Sequence, residues 1–180
     1  MSKYILSIIC LAVSLCATAK DHEGIVTENL NAGGFTLISQ SKPVSLVVAD
    51  SDKKGIHIAV RNLQKDFERV CGNQAQLLNA PADGISRCVI VGSLESPYIK
   101  QMVKAKKINE KELKGKVEKY VMTVVSNPLP GVEEALVIAG SDMRGTIYGI
   151  YELSEQIGVS PWYDWMDVPA VQHKNLAIQR

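Results

Sequence analysis

Charge of one sign is what this chain most lacks. Twenty lysines and arginines face nineteen acids, for a formal net charge of +1. A balance this even leaves no electrostatic footprint for nucleic acid or an anionic lipid surface, either of which needs clustered excess base. Lys104, Lys106 and Lys107 do cluster, but Glu110 and Glu112 follow, and the run reads as a solvated helix face. Aromatic residues are scarce at 6%, with two tryptophans and two phenylalanines. No apolar run approaches the roughly 20 residues that cross a bilayer. Cysteines number four, two of them inside the first twenty residues. The other two, Cys71 and Cys88, have no second Cys or His at metal-ligand spacing, so neither a structural zinc nor any other cofactor is expected. The G-x-G-x-x-G, G-x-x-x-x-G-K and G-x-S-x-G patterns are all missing, which removes the common phosphate-cradling and serine-hydrolase signatures.

The first nineteen residues follow an export pattern. Lys3 gives a positive start, residues 5–15 form an apolar stretch of about eleven residues, too short to span, and Ala17-Thr18-Ala19 offers the small side chains a signal peptidase accepts. Residues 1–19 are thus expected to be a signal peptide, with the mature chain periplasmic or extracellular and free of the membrane after cleavage. A lipoprotein signal at Cys16 would want a small residue where Leu15 stands. Cleavage removes one base, Lys3, from the twenty, so bases and acids become equal in number. A compartment of this kind permits disulfides, and spacing leaves open whether Cys71 and Cys88 pair or are separate buried thiols.

Periodicity orders the remainder. Residues 34–38 read as a short edge strand and 44–49 as a strand buried on both faces. Asp50-Ser51-Asp52 offers capping oxygens to a helix whose inner stripe is Ile56, Ala59, Val60, Leu63, Phe67 and Val70, stopped by Gly72. Short strands follow at 76–78 and 88–92. Ser96-Pro97 then opens a second helix. The Lys- and Glu-rich stretch 104–119 shows no clear periodicity. Strands at 120–125 and 135–139, joined by Asn127-Pro128-Leu129-Pro130-Gly131, read as an antiparallel hairpin. A last helix runs from Ser141-Asp142 to Ile157 with Ile147, Ile150, Tyr151, Ser154 and Ile157 inward. Gly145 and Gly149 lie one turn apart on it, at about 1 kcal/mol each relative to alanine, so something must approach closely there. The expected fold is an α/β (α+β) sandwich, one mixed β-sheet with helices packed mainly on one face. Residues 20–169 form the domain and 170–180 a C-terminal tail.

Two groups could carry chemistry or contacts. Asp142 and Arg144 sit between strand and helix, where an acid at a helix N-terminus and a neighbouring base could hold a ligand, although a capped turn is the better account of them. Residues 160–169 gather Trp162, Tyr163, Trp165, Asp164 and Asp167 between prolines. Aromatic faces of this kind stack on sugars, on partner surfaces or on a core. His22, His57 and His173 are far apart and lack a nucleophile partner. No catalytic residue and no metal ligand emerges.

These residues also carry a resemblance. The stretches 137–142, 144–151, 153–163 and 167–169, with Gly115-Lys116, Glu118 and residues 127–131 upstream, look like the signature region of glycoside hydrolase family 115, and residues 35–72 resemble its opening strand and helix. The chain departs from that pattern at Val117, where tryptophan is common, at Asp164, where an aromatic is, and at Met166, where alanine is. The resemblance implies the N-terminal accessory domain of a xylan α-glucuronidase, an α/β module preceding a (β/α)8 barrel that bears the catalytic acids. A barrel needs about 250 residues, so the chain is expected to stop before it, inactive alone, with the barrel domain as partner and glucuronoxylan as the polysaccharide it meets. The alternative is a stand-alone secreted module that binds carbohydrate or protein.

Overall fold

Strands that bury both faces need cover on both sides, and the architecture follows from that requirement. The computed structural model describes residues 25–30, 33–82 and 84–179. The export signal and His22 lie outside the described residues. The five-stranded main sheet contains β4 (Ser45–Val48), β5 (Leu77–Leu78), β6 (Arg87–Ser93), β7 (Tyr120–Ser126) and β8 (Glu134–Gly140), in the order β5-β4-β6-β8-β7. The first four in that order run parallel, and β7 pairs with β8 as the expected antiparallel hairpin, Tyr120 opposite Gly140 and Ser126 opposite Glu134.

Side chains along the central strands alternate between two cores. Leu46, Val48, Val89, Val91, Leu136 and Ile138 point to one, and Val47, Cys88, Ile90, Ala135, Val137 and Ala139 to the other. The first core is covered by the two long helices, α1 (Lys54–Cys71) and α3 (Met143–Gln156), which pack side by side. The mixed sheet with its long helices on one face is the predicted arrangement. The second core is covered more lightly, by Ile99 and Met102 of α2 (Pro97–Lys104) and by Ile108 and Leu113. The stretch 104–119, aperiodic in sequence, is thereby anchored: a 3-10 turn at Glu110–Glu112 delivers Leu113 to full burial.

Three expectations are corrected. There are two sheets rather than one. A small antiparallel sheet, β1 (Val26–Thr27), β9 (Leu176–Ile178), β2 (Phe35–Ser39) and β3 (Lys42–Pro43), sits beside the main one and sends Phe35, Leu37, Ile38 and Leu176 into the first core. β2 is therefore an inner strand, flanked by β9 and β3, and not an edge. Residues 176–178, assigned from sequence to a tail, form the strand that joins β1 to β2. Their closeness needs Gly34, where a Cβ would stand 2.1 Å from the Ile178 carbonyl oxygen.

Helix ends differ from expectation where a side chain found a stronger partner. Lys53, not one of the acids before it, occupies the α1 N-cap and makes no side-chain cap bond. Asp52 instead accepts the Ser96 hydroxyl at 2.9 Å, and Asp50 accepts the Asn79 amide at 2.9 Å. Ser96 is the α2 N-cap by position, with Pro97 first in the helix, but its hydroxyl is committed to Asp52. Gly72, at φ 78°, closes α1 in the left-handed conformation glycine tolerates. Asp142 caps α3 as expected. Tyr151, placed on the inward stripe from sequence, is 45% exposed; buried Gly145, Thr146 and Gly149 take the inner face with Ile150, Leu153 and Ser154.

Candidate functional site

In an open sheet of this type ligands enter beyond the carboxyl ends of the strands, where the crossover direction reverses. Here that point lies between β4 and β6, whose following helices cover opposite faces. Local contacts fill it: Asp52 holds Ser96, Lys53 pairs with Glu95 at 2.9 Å, and Gly92 lies so close to Ser96 that a Cβ would stand 2.6 Å from it. Burial pushes the Asp52 carboxyl up, against the lowering effect of the Ser96 hydrogen bond. A shallow depression of about 380 Å³ remains beside it, bordered by Asp50, His57 and Asn79.

A larger cleft, about 590 Å³, lies on the far side of the helix layer, in the groove between α1 and α3, and is closed at one end by Val159, Ser160, Pro161, Tyr163 and Asp164. Its floor is polar. Asp66 of α1 is 4% exposed and accepts both the Ser154 hydroxyl of α3, at 2.7 Å, and the Arg69 guanidinium, at 2.9 Å. Arg69 spends its second nitrogen on Asp164 at 3.3 Å and lies 4.1 Å over the Tyr163 ring. One buried carboxylate thus ties α1 to α3, and one arginine ties both to the short helix α4 (Tyr163–Met166). Buried charge is tolerated here because each oxygen is paired and hydrogen-bonded. Across the groove the Asn62 amide donates to the Tyr151 hydroxyl at 2.9 Å.

Only part of the sequence-derived set comes together. Tyr163 lines the cleft. Trp162 and Trp165 do not; they are 60% and 83% exposed, as Met166 is at 66%, on and beside the short helix α4. Asp142 is structural. Its carboxylate accepts the backbone N–H groups of Gly145 at 2.8 Å and Glu118 at 2.9 Å, and these bonds hold it below the usual carboxylate range. Arg144 pairs with Glu118 at 2.9 Å rather than with Asp142, and donates to the Tyr148 hydroxyl at 3.0 Å, which in turn donates to Glu118 at 3.2 Å. Tyr148 borders the cleft, so Arg144 reaches it only through that ring.

Sequence reasoning missed Asn62, Asp66, Tyr148 and Tyr151. Asp66 had a signal: it stands three residues after Leu63 and beside Phe67, on the inner edge of an otherwise apolar stripe, with Arg69 at the spacing that allows pairing on one helix. The glycines explain the rest of α3. A Cβ on Gly145 would lie 2.3 Å from the Lys119 carbonyl oxygen, and one on Gly149 would lie 2.6 Å from the Ile138 side chain and 3.0 Å from the Tyr120 ring. The close approach demanded by two helical glycines is made by the chain's own main sheet, by Lys119 just before β7, Tyr120 in it and Ile138 of β8.

Cys71 and Cys88 are both free and buried, and they belong to different cores on opposite faces of the main sheet. Burial pushes the Cys88 thiol up to about 12. His57 and His173 stand apart, the latter paired with Glu28 at 2.6 Å. Among the described residues no group of three His, Cys, Asp or Glu is arranged to hold a metal ion, and no helix is long and apolar enough to cross a membrane.

Comparison with known proteins places this geometry. Residues 36–153 match the family described as glycosyl hydrolase family 67 N-terminus. Among solved structures, the chain is similar to a family GH115 4-O-methyl-α-glucuronidase with specificity for decorated arabinogalactans, at 28% identity and a TM-score of 0.62. That match covers 78% of this chain and 17% of that one, so the chain spans a small fraction of its relative's length. A second structure, that of CpGH84D, aligns at 12% identity and a TM-score of 0.44 over 86% of this chain and 22% of that one, too distant to carry an argument. No curated protein matches.

Proposed function

Because the chain belongs to the glycosyl hydrolase family 67 N-terminal family, we propose that it is the accessory domain of an exported α-glucuronidase, supporting a catalytic domain and hydrolysing nothing by itself. The family match over residues 36–153 carries this reading. The similar glucuronidase supports it, since the shared region is 17% of that chain and leaves ample length for a separate catalytic domain. The exposure of Trp162, Trp165 and Met166 within five residues supports it too, because large apolar side chains gathered at the surface are what a neighbouring domain covers. Export is read from residues 1–19. The parent enzyme removes glucuronic acid, or its 4-O-methyl form, from side chains of plant polysaccharides. Glucuronoxylan and decorated arabinogalactan are both candidates, the latter because the similar enzyme is specific for it.

The test is direct. The full chain is purified and incubated with glucuronoxylan and with decorated arabinogalactan, and uronic acid release is compared with a heat-killed control. Release at the control level is expected. Sustained release above it would overturn the accessory reading.

A further inference from the structure

The cleft between α1 and α3 is not used by a supporting role. Three of the six tyrosines in the chain, Tyr148, Tyr151 and Tyr163, line it. Tyr148 and Tyr151 are 41% and 45% exposed, yet their hydroxyls are fixed, one by Arg144 and Glu118 and the other by Asn62. Half-exposed rings whose tips are tied down present their faces without losing rotamer freedom when something binds. At about 590 Å³ the space falls within the roughly 300–1,000 Å³ of small-molecule clefts.

The polar lining narrows the occupant. Lys65 and Arg69 are outnumbered by Asp66, Glu152, Glu155 and Asp164, and both acceptor oxygens of Asp66 are already committed. Arg69 is already shared between Asp66 and Asp164 and lies over the Tyr163 ring. An anionic sugar would meet net negative charge, four acids against Lys65 and an Arg69 already shared between two of them. An apolar segment would strand carboxylates and amides. A neutral pyranose suits both features: its C–H faces stack on tyrosine, and its hydroxyls donate to carboxylates such as Glu155.

We propose that this cleft binds the neutral, undecorated pyranose backbone of a plant polysaccharide, through the ring faces of Tyr148 and Tyr151 with Glu155 accepting hydroxyl donors. The inference rests on the accessory reading for its class of polysaccharide, and the two fail separately, since uronic acid release tests one and binding the other. In a parent enzyme it would hold the backbone near the catalytic domain while leaving the charged side chain to that domain.

The full chain is titrated with neutral xylo-oligosaccharides and galacto-oligosaccharides and with a glucuronic-acid oligosaccharide, by calorimetry and by NMR chemical shifts. Saturable binding to a neutral oligosaccharide is expected, unchanged by added salt and at least tenfold weaker for the acidic one. Tyr151→Ala should weaken it at least tenfold. Glu155→Gln, an exposed change that leaves the fold intact, should weaken it several-fold. Trp165→Ala, outside the cleft, should leave it unchanged. The proposal is overturned if no neutral probe saturates at millimolar concentration, if the acidic probe binds best and in a salt-dependent way, or if loss follows Trp165→Ala rather than Tyr151→Ala.

Discussion

Replacing Gly145 by alanine should destabilise the protein, although the same change at an ordinary helical glycine stabilises by about 1 kcal/mol. The new Cβ would lie 2.3 Å from the Lys119 carbonyl oxygen and 2.9 Å from the Lys119 carbonyl carbon and amide nitrogen. Reaching ordinary contact, 3.4 Å or more, needs a movement of about 1.1 Å (3.4 less 2.3). Backbone must supply it, because no flexible side-chain end is involved. That backbone is pinned: the Lys119 carbonyl accepts the Ser141 N–H at 2.7 Å, and the Lys119 N–H donates to the Ser141 hydroxyl at 3.0 Å. Overpacking costs about 1–3 kcal/mol, and each of these hydrogen bonds about 1 kcal/mol when lost. After the gain in helix propensity the net loss is roughly 2–4 kcal/mol. Urea unfolding followed by circular dichroism should show a lower midpoint with an unchanged slope, the mark of a stability change rather than a compactness change. Gly55→Ala is the internal control, since its Cβ meets only the Met143 sulfur at 2.9 Å and the end of Ile147 at 3.4 Å. Those ends can swing aside, and the variant should be neutral or up to about 1 kcal/mol more stable. A Gly145→Ala protein as stable as the parent would refute the close-approach argument.

Asp66→Ala should cost about 2–3 kcal/mol, less than a fully buried pair because Arg69 is partly solvated, and Asp66→Asn should cost less because an amide oxygen still accepts the Ser154 hydroxyl; thermal melts of the three proteins check the ranking, and equal losses would contradict it. Neither Cys71 nor Cys88 should react with iodoacetamide in the native protein, and both should react in urea; a peptide mass showing them disulfide-linked would show that the two cores are not separated by the main sheet. The Asp142 carboxyl is held below its ordinary value of 3.8 by the N–H groups of Glu118 and Gly145, so its contribution is present above that value and lost as pH falls through the lower folded one. The stability gap between the parent and Asp142→Asn should therefore narrow below about pH 4, and a gap independent of pH from 7 to 2 would contradict the assignment. Asp52 works the other way: burial raises its carboxyl, so ionisation there opposes folding as pH rises, and Asp52→Asn, which still accepts from Ser96, should be neutral or slightly stabilising at pH 7 in a denaturant titration.

By itself the sequence determined what local physics decides: the apolar stripe of α1 and its stop at Gly72, the buried strands β4, β6 and β8, the hairpin of β7 and β8, and the Asp142 cap, because period, turn chemistry and capping are set within a few residues. It also named the family region, since the stretch from residue 137 to 163 is dense with resemblance. What it could not place were pairings across distance. Whether Asp52 caps a helix or takes Ser96, whether Arg144 answers Asp142 or Glu118, and whether residues 176–178 trail away or close a second sheet each depend on a partner far off in the chain, as Ser96 is from Asp52, Glu118 from Arg144 and Val26 from Ile178, and on which competing bond wins once the layers meet. The cleft is the clearest instance: Asn62, Tyr148 and Tyr151 carry no signal on their own helices, and they join Asp66 and Arg69 in a site only because packing sets α1 beside α3 and leaves between them a polar groove that neither helix can fill.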